Sequence, residues 1–504
     1  LRKPPAHLIW LTWLAALVCY WLIQGFSLGM SDDEAYYWVL SQKPALGYAY
    51  HPPLVAWTMT AFETLTAWIP ALSREGRARL GAILLAASFF AIGLGWVRSV
   101  LRSEQRREPG PGDLVLTLLP GLAGVAWMIV PDLPLFLGWS LCWWGCWVAA
   151  HAKGATTPRA TLLLFAGAVA GLLSKFSAVL FLFSSAVLIL FLPKVSITRR
   201  RNLLFALAAG AVVGLVPTLI WNFQNDWVSI RYQFVERHRS GGGIDLKRYL
   251  QFWGAQLLLV GPALILWSLL QARTLIHGTT RSVKHRFVLA FALPAAGVFW
   301  LQPLVSEFKP HWALIAWWPL ALWAATESRR PRWLVPLHAI WCVGLLGVWT
   351  AFSHWPLQAR LTEWATGKSP DPRWDITNDF YGWDALPRLI ESKLGSDGLS
   401  LPVLGSRYQT AAQAAFSLES ISRVSLVGRR PGETQEWSKL SDHLDPVEGS
   451  YWPKLKAPVL FVADQRYSEG PKFKDASCSE LGSAETLRGR HQAKRIQLWR
   501  CQPN

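Results

Sequence analysis

The sequence is short of charge. Charged residues are 16% of its 504 positions while 52% are hydrophobic, against about 25% charged in an average soluble domain, which argues against a soluble enzyme. Acids are the scarcer sign, 32 against 50 basic residues, leaving a formal charge of +18 carried by the loops. Cysteine is rare, and none of the six Cys sits in a Cys/His cluster with zinc-ligand spacing, which excludes an ordinary zinc centre. The one glycine-rich stretch, Ser240-Gly241-Gly242-Gly243, lacks the Lys-Ser/Thr of a phosphate-binding P-loop. No internal repeat is present, and the first apolar run has no clear small-x-small cleavage site, so it is expected to be a retained anchor rather than a signal peptide.

What is present is a series of apolar runs, each able to cross a hydrocarbon core of about 30 Å with about 20 residues. Eleven spans are expected, at 8–30, 78–97, 114–130, 133–150, 160–174, 177–193, 203–221, 250–270, 287–304, 312–327 and 333–352. The stretch 160–193 is interrupted only by Ser174-Lys175-Phe176-Ser177. Because a desolvated Lys at mid-bilayer is costly, it reads as two short helices, with one long tilted helix as the alternative. Clusters such as Arg98/Arg102, Arg199/Arg200/Arg201, Lys284/Arg286 and Arg329/Arg330/Arg332 fall on alternate loops. By the positive-inside rule the N-terminus is then cytoplasmic, and everything after about residue 353 is outside.

The expected fold is a polytopic α-helical membrane protein of about eleven spans, residues 1–352, followed by a periplasmic α/β domain, residues 353–504. Short apolar runs at 402–404, 424–427, 459–462 and 496–499 read as strands of that domain. Residues 31–77 mix acids, aromatics and Pro, and read as short amphipathic helices on the membrane surface. Four of the cysteines lie in spans. Cys478 and Cys501 lie outside, where an oxidising compartment would permit a disulfide.

The strongest local signal is Asp32-Asp33-Glu34-Ala35-Tyr36-Tyr37-Trp38, where the first span leaves the membrane. Such acids either cap a helix N-terminus or present a carboxylate to a reaction centre, and position alone favours the cap. A second acid on the same side is Asp132, in the tight hairpin Val130-Pro131-Asp132-Leu133-Pro134, where turn chemistry is an equally good reason for it. Outer loops also carry cations against the charge rule: Lys175, Arg231, Arg237, His238, Arg239, Lys247, Arg248, Lys309 and His311. Lipid headgroups could attract them; an anionic ligand such as a phosphate explains their clustering better. His51, before Pro52-Pro53, is either a turn residue or an imidazole offered to a phosphate. The 31 Trp fit an interfacial belt.

These segments resemble the C-type polyprenyl-phosphate-dependent glycosyltransferases, especially bacterial members related to protein O-mannosyltransferases and lipid A aminoarabinose transferases. The resemblance runs through Asp33 to Trp38, Gly47-Tyr48-Ala49-Tyr50-His51-Pro52-Pro53-Leu54, Asp132-Leu133-Pro134-Leu135, Leu173-Ser174-Lys175-Phe176, Trp221 to Trp227, Lys309-Pro310-His311-Trp312 and Gly382-Trp383. It implies that Asp33, with Glu34 and Asp132, forms the catalytic acid set. It implies that His51 contacts the carrier phosphate, with Lys175, Arg231, Arg237, Lys309 and His311 as further phosphate-binding candidates. Tyr36, Tyr37, Tyr50, Trp221 and Asn222 are expected around the acceptor or pocket. Tyr50 departs from the family pattern, standing where relatives carry an acid, which weakens any metal site or acceptor contact that depends on that acid.

The expected reaction moves a sugar from a polyprenyl phosphate to an envelope glycolipid at the outer face of a bacterial inner membrane, by inverting displacement. No cofactor is expected, although a divalent cation held by Asp33 and Asp132 is possible, and no nucleic-acid partner is expected. The alternatives are a protein O-glycosyltransferase using the same donor, and a lipid transporter or flippase. The latter is disfavoured because transporters place polar groups near the membrane midplane.

Overall fold

The computed structural model describes residues 6–104, 108–151, 158–193, 195–235, 243–280, 282–427, 444–445, 452–467 and 470–504. Arg237, His238, Arg239 and Ser240-Gly241-Gly242 therefore lie outside the described residues. Two compact units emerge, one of Leu1–Ile23, Tyr50–Val55 and Leu80–Val348, the other of Gln24–Ala49, Ala56–Arg79 and Trp349–Asn504. The second unit therefore combines the C-terminal residues with the segments around the first loop.

The first unit is helical. Among the described residues of the whole chain six helices are long and apolar enough to cross a membrane: Leu8–Ser27, Arg74–Ser103, Asp132–His151, Ile197–Gln224, Val283–Leu304 and Leu334–His354. The pair Leu246–Val260 and Pro262–Gly278 would add a seventh if counted as one broken span. The chain is a multi-pass membrane protein; the count of eleven spans is not confirmed, and several of the expected spans take other forms.

The expected span 114–130 is two short helices, Pro111–Leu116 and Pro120–Ala123, joined and followed by turns. Its apolar side chains, among them Leu118, Leu122, Ala126, Trp127 and Ile129, are buried inside the protein, where irregular backbone is tolerated at membrane depth. The expected span 312–327 becomes the helix Leu314–Thr326, all of whose residues are buried. The expected span 250–270 bends by 106° at Gly261, where φ is +100, just before Pro262, which has no N–H to carry the helical ladder through the bend.

The stretch 160–193 is indeed interrupted, giving Pro158–Leu172 and, after a 3₁₀ turn at Phe176–Ala178, Val179–Phe191. Helix Pro158–Leu172 packs closely on helix Asp132–His151 because glycines meet. A Cβ on Gly138 would stand 2.7 Å from the Gly167 carbonyl oxygen, and one on Gly167 would stand 2.8 Å from that of Gly138. Small residues at such crossings are how helices associate where no hydrophobic effect drives them together. The close crossing brings the start of one helix, Asp132, beside the chain just after the end of the other, Lys175.

The second unit contains a five-stranded mixed sheet with β1 (Val403–Gly405), β2 (Val424–Leu426), β3 (Val459–Asp464), β4 (Ala476–Arg488) and β5 (His491–Pro503). Their order is β2-β1-β3-β5-β4, with β1 parallel to β2 and β3, and β5 antiparallel to β3 and β4. The three parallel strands are buried throughout, as expected of strands covered on both faces, and Leu404, Val459, Phe461, Ala463 and Cys501 belong to the core beneath them. Four of the five strands coincide with the apolar runs seen in the sequence. The fifth, β4, is an edge strand with a polar, partly exposed sequence, so no apolar run marks it. Cys478 of β4 stands opposite Cys501 of β5 and the two form a disulfide.

The first helix after the first span is covered by protein. Asp32–Ser41 has nine of its ten residues buried, because the helix Tyr408–Ser417 packs over it: Trp38 meets Phe416 edge-on at 5.1 Å between ring centroids and Tyr36 meets Tyr408 at 5.6 Å.

Candidate functional site

In the helical unit the side chains of greatest interest gather around Asp132. Lys175 Nζ lies 2.9 Å from Asp132 Oδ1, and both side chains are largely removed from solvent, 16% and 14% exposed. His311 Nε2 lies 3.8 Å from the other carboxylate oxygen, and His51 is a further electrostatic neighbour of the same group. Local chain geometry accounts for each. Lys175 sits in extended backbone between two helices, with its ammonium 5.1 Å from the Trp312 ring centroid. The His51-Pro52-Pro53 turn is tied to the same break by the Leu54 amide, which donates to the Leu173 carbonyl at 2.9 Å. His311 lies in the 3₁₀ turn Pro310–Ala313, and Lys309 is exposed at its N-cap.

Four positions that lie apart in the sequence, His51, Asp132, Lys175 and His311, are thus brought together. With one carboxylate among three basic groups, the cluster is suited to an anion: the carboxylate orients the ammonium, and the imidazoles add donors.

The remaining candidates in this unit have other surroundings. Arg231 turns back to donate to the Asp226 carbonyl, near the left-handed backbone at Asp226 and Trp227. Tyr50 packs edge-on against Tyr232 at 4.5 Å, and its carbonyl accepts from Gln233 Nε2 at 2.7 Å. Asn222 is buried; its amide donates to Thr218 and accepts from the Ile230 N–H, joining two helices. Trp221 is buried beside it.

In the second unit Ser31, Asp32, Asp33 and Glu34 open the helix Asp32–Ser41, and the three acids have separate surroundings. Glu34 closes a capping box with Ser31 and pairs with Arg79, both side chains having no exposure. Arg79 also donates to the carbonyls of Gly25, Leu28 and Gly29, so this pair holds the loop that delivers the acids. Asp32 is buried and accepts from Gln413 Nε2 at 3.0 Å and Tyr467 Oη at 2.9 Å. Asp33 is the half-exposed one, accepting from Tyr408 Oη at 3.0 Å. Burial, then the charge of Asp33, hold the Tyr408 phenol well above its ordinary value, so it acts as a donor. Tyr36 and Tyr37 are buried packing partners in this helix.

Sequence reasoning missed what surrounds Asp32. Arg466 pairs with Asp464 at 2.6 Å, with Asp32 at 3.5 Å and with Asp379, and Lys494 lies 3.9 Å from Asp464. Burial, helped by the Asp32 charge, lifts the Asp379 carboxyl to about 6 against the pull of Arg466 and Lys494. Burial, helped by Arg466, brings the Lys494 ammonium down to about 8. The available sequence signals were slight: Asp379 precedes Gly382-Trp383 by three positions, and Asp464-Gln465-Arg466 closes an apolar strand. Among the described residues no group of three or more His, Cys, Asp or Glu is placed to hold a metal ion.

Comparison with solved structures gives two crystal structures of ArnT from Cupriavidus metallidurans. The apo form aligns over 98% of both chains with a TM-score of 0.60 and 14% identity. The form bound to undecaprenyl phosphate aligns over 97% of this chain and 98% of that one, with a TM-score of 0.58 and 14% identity. The chain has the ArnT fold. A curated relative, the lipid A galacturonosyltransferase RgtD of Rhizobium johnstonii (strain DSM 114642 / LMG 32736 / 3841), is 28% identical over 345 residues, 66% of this chain and 62% of its own length. The match thus spans less than two thirds of that relative. No protein-family model matches the chain. The ArnT fold and the RgtD sequence both agree with the superfamily that the motifs resemble.

Proposed function

We propose that this protein transfers a sugar from a polyprenyl (undecaprenyl) phosphate-linked donor to an envelope glycolipid such as lipid A or lipopolysaccharide core. It would work in the bacterial inner membrane with its active face periplasmic, residues 1–352 forming the transferase portion and 353–504 a periplasmic domain. The observation that carries the reading is the Asp132, Lys175, His311 and His51 cluster in a membrane-embedded helical unit. It is supported by the RgtD relative, whose name specifies lipid A, and by an ArnT structure that holds undecaprenyl phosphate.

The chemistry assigns each group a task. The bond between the anomeric carbon and the phosphate oxygen breaks, its electron pair leaving with the phosphate. Lys175, His51 and His311 stabilise the charge that develops on that phosphate. The acceptor oxygen forms the new bond, and if it is a hydroxyl, Asp33 takes its proton. Glu34 serves through Arg79 as a positioning residue. A single displacement inverts the anomeric centre, so a product with the donor's own configuration would rule the mechanism out. The reaction so written needs no cofactor, and turnover should survive chelation with EDTA.

The test is release of polyprenyl phosphate from a labelled donor by the purified protein, expected only when lipid acceptor is supplied. Release with a peptide but not with lipid would instead establish the protein O-glycosyltransferase alternative. Asp33→Asn should abolish turnover and leave donor binding intact; near-normal turnover removes the role given to Asp33.

A further inference from the structure

The chain just beyond the helix Leu334–His354 carries an apolar face that protein leaves uncovered. That helix, apolar enough to cross a membrane, gives way to Trp355-Pro356, where Pro356 at φ −76 and ψ 50 makes a tight turn and the Leu357 amide donates to the Trp355 carbonyl at 2.8 Å. A new helix, Leu357–Thr366, begins at once and stops at Gly367 in left-handed backbone. At 3.6 residues per turn Leu357, Leu361 and Trp364 fall within about 60° of one another, on the side opposite Ala359. Ala359 is buried, and Glu363 on its side pairs with Arg490 at 2.7 Å. One side of the helix therefore faces the sheet, and the other has Leu361 and Trp364 open.

The same segment continues the open apolar surface. Trp355, Leu361, Trp364, Trp374 and Ile376 are each more than half exposed, Trp364 by 86%. The helix is tied to the later turn by Gln358 Nε2, which donates to the Trp374 carbonyl at 2.7 Å. Buried Arg488, at the end of β4, donates to the carbonyls of Ser353 and Trp355 and to Thr377 Oγ1 and Asn378 Oδ1. One guanidinium thus joins the end of the membrane helix, the aromatic segment and the sheet, and all of these residues belong to the second unit.

Three exposed Trp within about one small segment need an explanation, because such patches mark a surface that something covers. Continuity with a membrane-crossing helix that ends two residues earlier names the occupant, since Trp is the residue that favours the boundary between hydrocarbon and water. Charge agrees. Arg360 and Lys368 are exposed beside this face and make no ion pair among the described residues, as suits cations that meet lipid phosphates.

We propose that Leu357–Thr366 and the 372–376 turn lie in the lipid interface and seat the C-terminal sheet on the bilayer, with Leu361, Trp364 and Trp374 inserted among the acyl chains and Arg360 and Lys368 on the phosphates. The assignment does not depend on the transferase reading.

The experiment is nitroxide labelling of the full chain in nanodiscs of phosphatidylethanolamine and phosphatidylglycerol. Cys19→Ser removes the exposed thiol; the other free cysteines are buried, and Cys478 and Cys501 are joined. Leu361→Cys, Trp364→Cys and, as an exposed position on another helix of the unit, Glu391→Cys are then labelled one at a time. Compared with position 391, labels at 361 and 364 should collide severalfold less with a water-soluble nickel chelate and more with oxygen, which concentrates in lipid. Equal nickel collision at all three positions overturns the proposal, because the face then lies in water. Loss of both nickel and oxygen collision at 361 and 364 also overturns it, since a second copy or another protein then covers the face.

Discussion

Arg79 and Glu34 form an ion pair in which neither side chain has any solvent exposure, Nη2 lying 2.7 Å from Oε2. A pair so buried is costly to break from one side, because the surviving charge is left uncompensated, at about 3–5 kcal/mol. Arg79→Ala should therefore lower the apparent melting temperature and open the 25–34 loop to protease, since three carbonyls lose their donor at the same time. Asp33→Asn, one residue away, should leave both readouts unchanged. Equal thermal stability of parent and Arg79→Ala would refute the holding role.

That contrast shows where sequence reading succeeds and where it stops. Asp33 and Asp132 were visible because position relative to an apolar run is a one-dimensional property. The separate surroundings of Asp32, Asp33 and Glu34 were not, since Asp32 meets Tyr467 across 435 positions and Glu34 meets Arg79 through a pair that burial alone marks. The form of the apolar runs was hidden for a related reason: a long lipid-facing helix and a buried pair of short helices, as at 114–130, have the same apolar composition. The strand β4 left no trace because an edge strand held by its neighbour and a disulfide has no apolar face to display.

The Lys175 and Asp132 contact makes a prediction about donor binding. A hydrogen bond to a charged group is worth about 1.5–3 kcal/mol, so Lys175→Met should weaken binding of polyprenyl phosphate by about tenfold to a hundredfold. Lys175→Arg should recover part of that loss, as Arg keeps the charge with different geometry. Asp132→Asn removes only the partner that orients the ammonium, and a smaller loss is expected. Undiminished binding in Lys175→Met, measured by titration with the carrier phosphate, would move the anion site elsewhere.

The Asp379 and Lys494 groups predict how stability depends on pH. Asp379 is raised from 3.8 to about 6, so between those values the folded state keeps a proton that the unfolded state releases, and stability rises as pH falls from about 6 toward 4. Lys494 is lowered from 10.5 to about 8, so between about 8 and 10.5 the unfolded state holds the extra proton and stability rises with pH. Both charges are thus carried at neutral pH against stability, a pattern common at functional sites. In melts from pH 4 to 7, the parent should gain on Asp379→Asn as the pH falls through 6. A constant difference between them would contradict the raised value.

The Tyr408 hydroxyl, donating to Asp33 Oδ1 at 3.0 Å, separates orientation from chemistry. Tyr408→Phe keeps the ring that meets Tyr36 edge-on and deletes only the donor, so the helix packing and melting temperature should change little. The carboxylate then loses a bond that helps fix its rotamer, and a fixed rotamer is what aims one oxygen at an acceptor proton. One neutral hydrogen bond of about 0.5–1.5 kcal/mol corresponds to a fall in kcat of about two- to tenfold. Donor binding should not change, because the phosphate cluster belongs to a different set of residues. Asp33→Asn should by contrast abolish turnover altogether. Single-turnover assays of the two variants beside the parent make the comparison, and equal, complete loss in both would mean that Tyr408 takes part in the chemical step itself and does not merely orient Asp33.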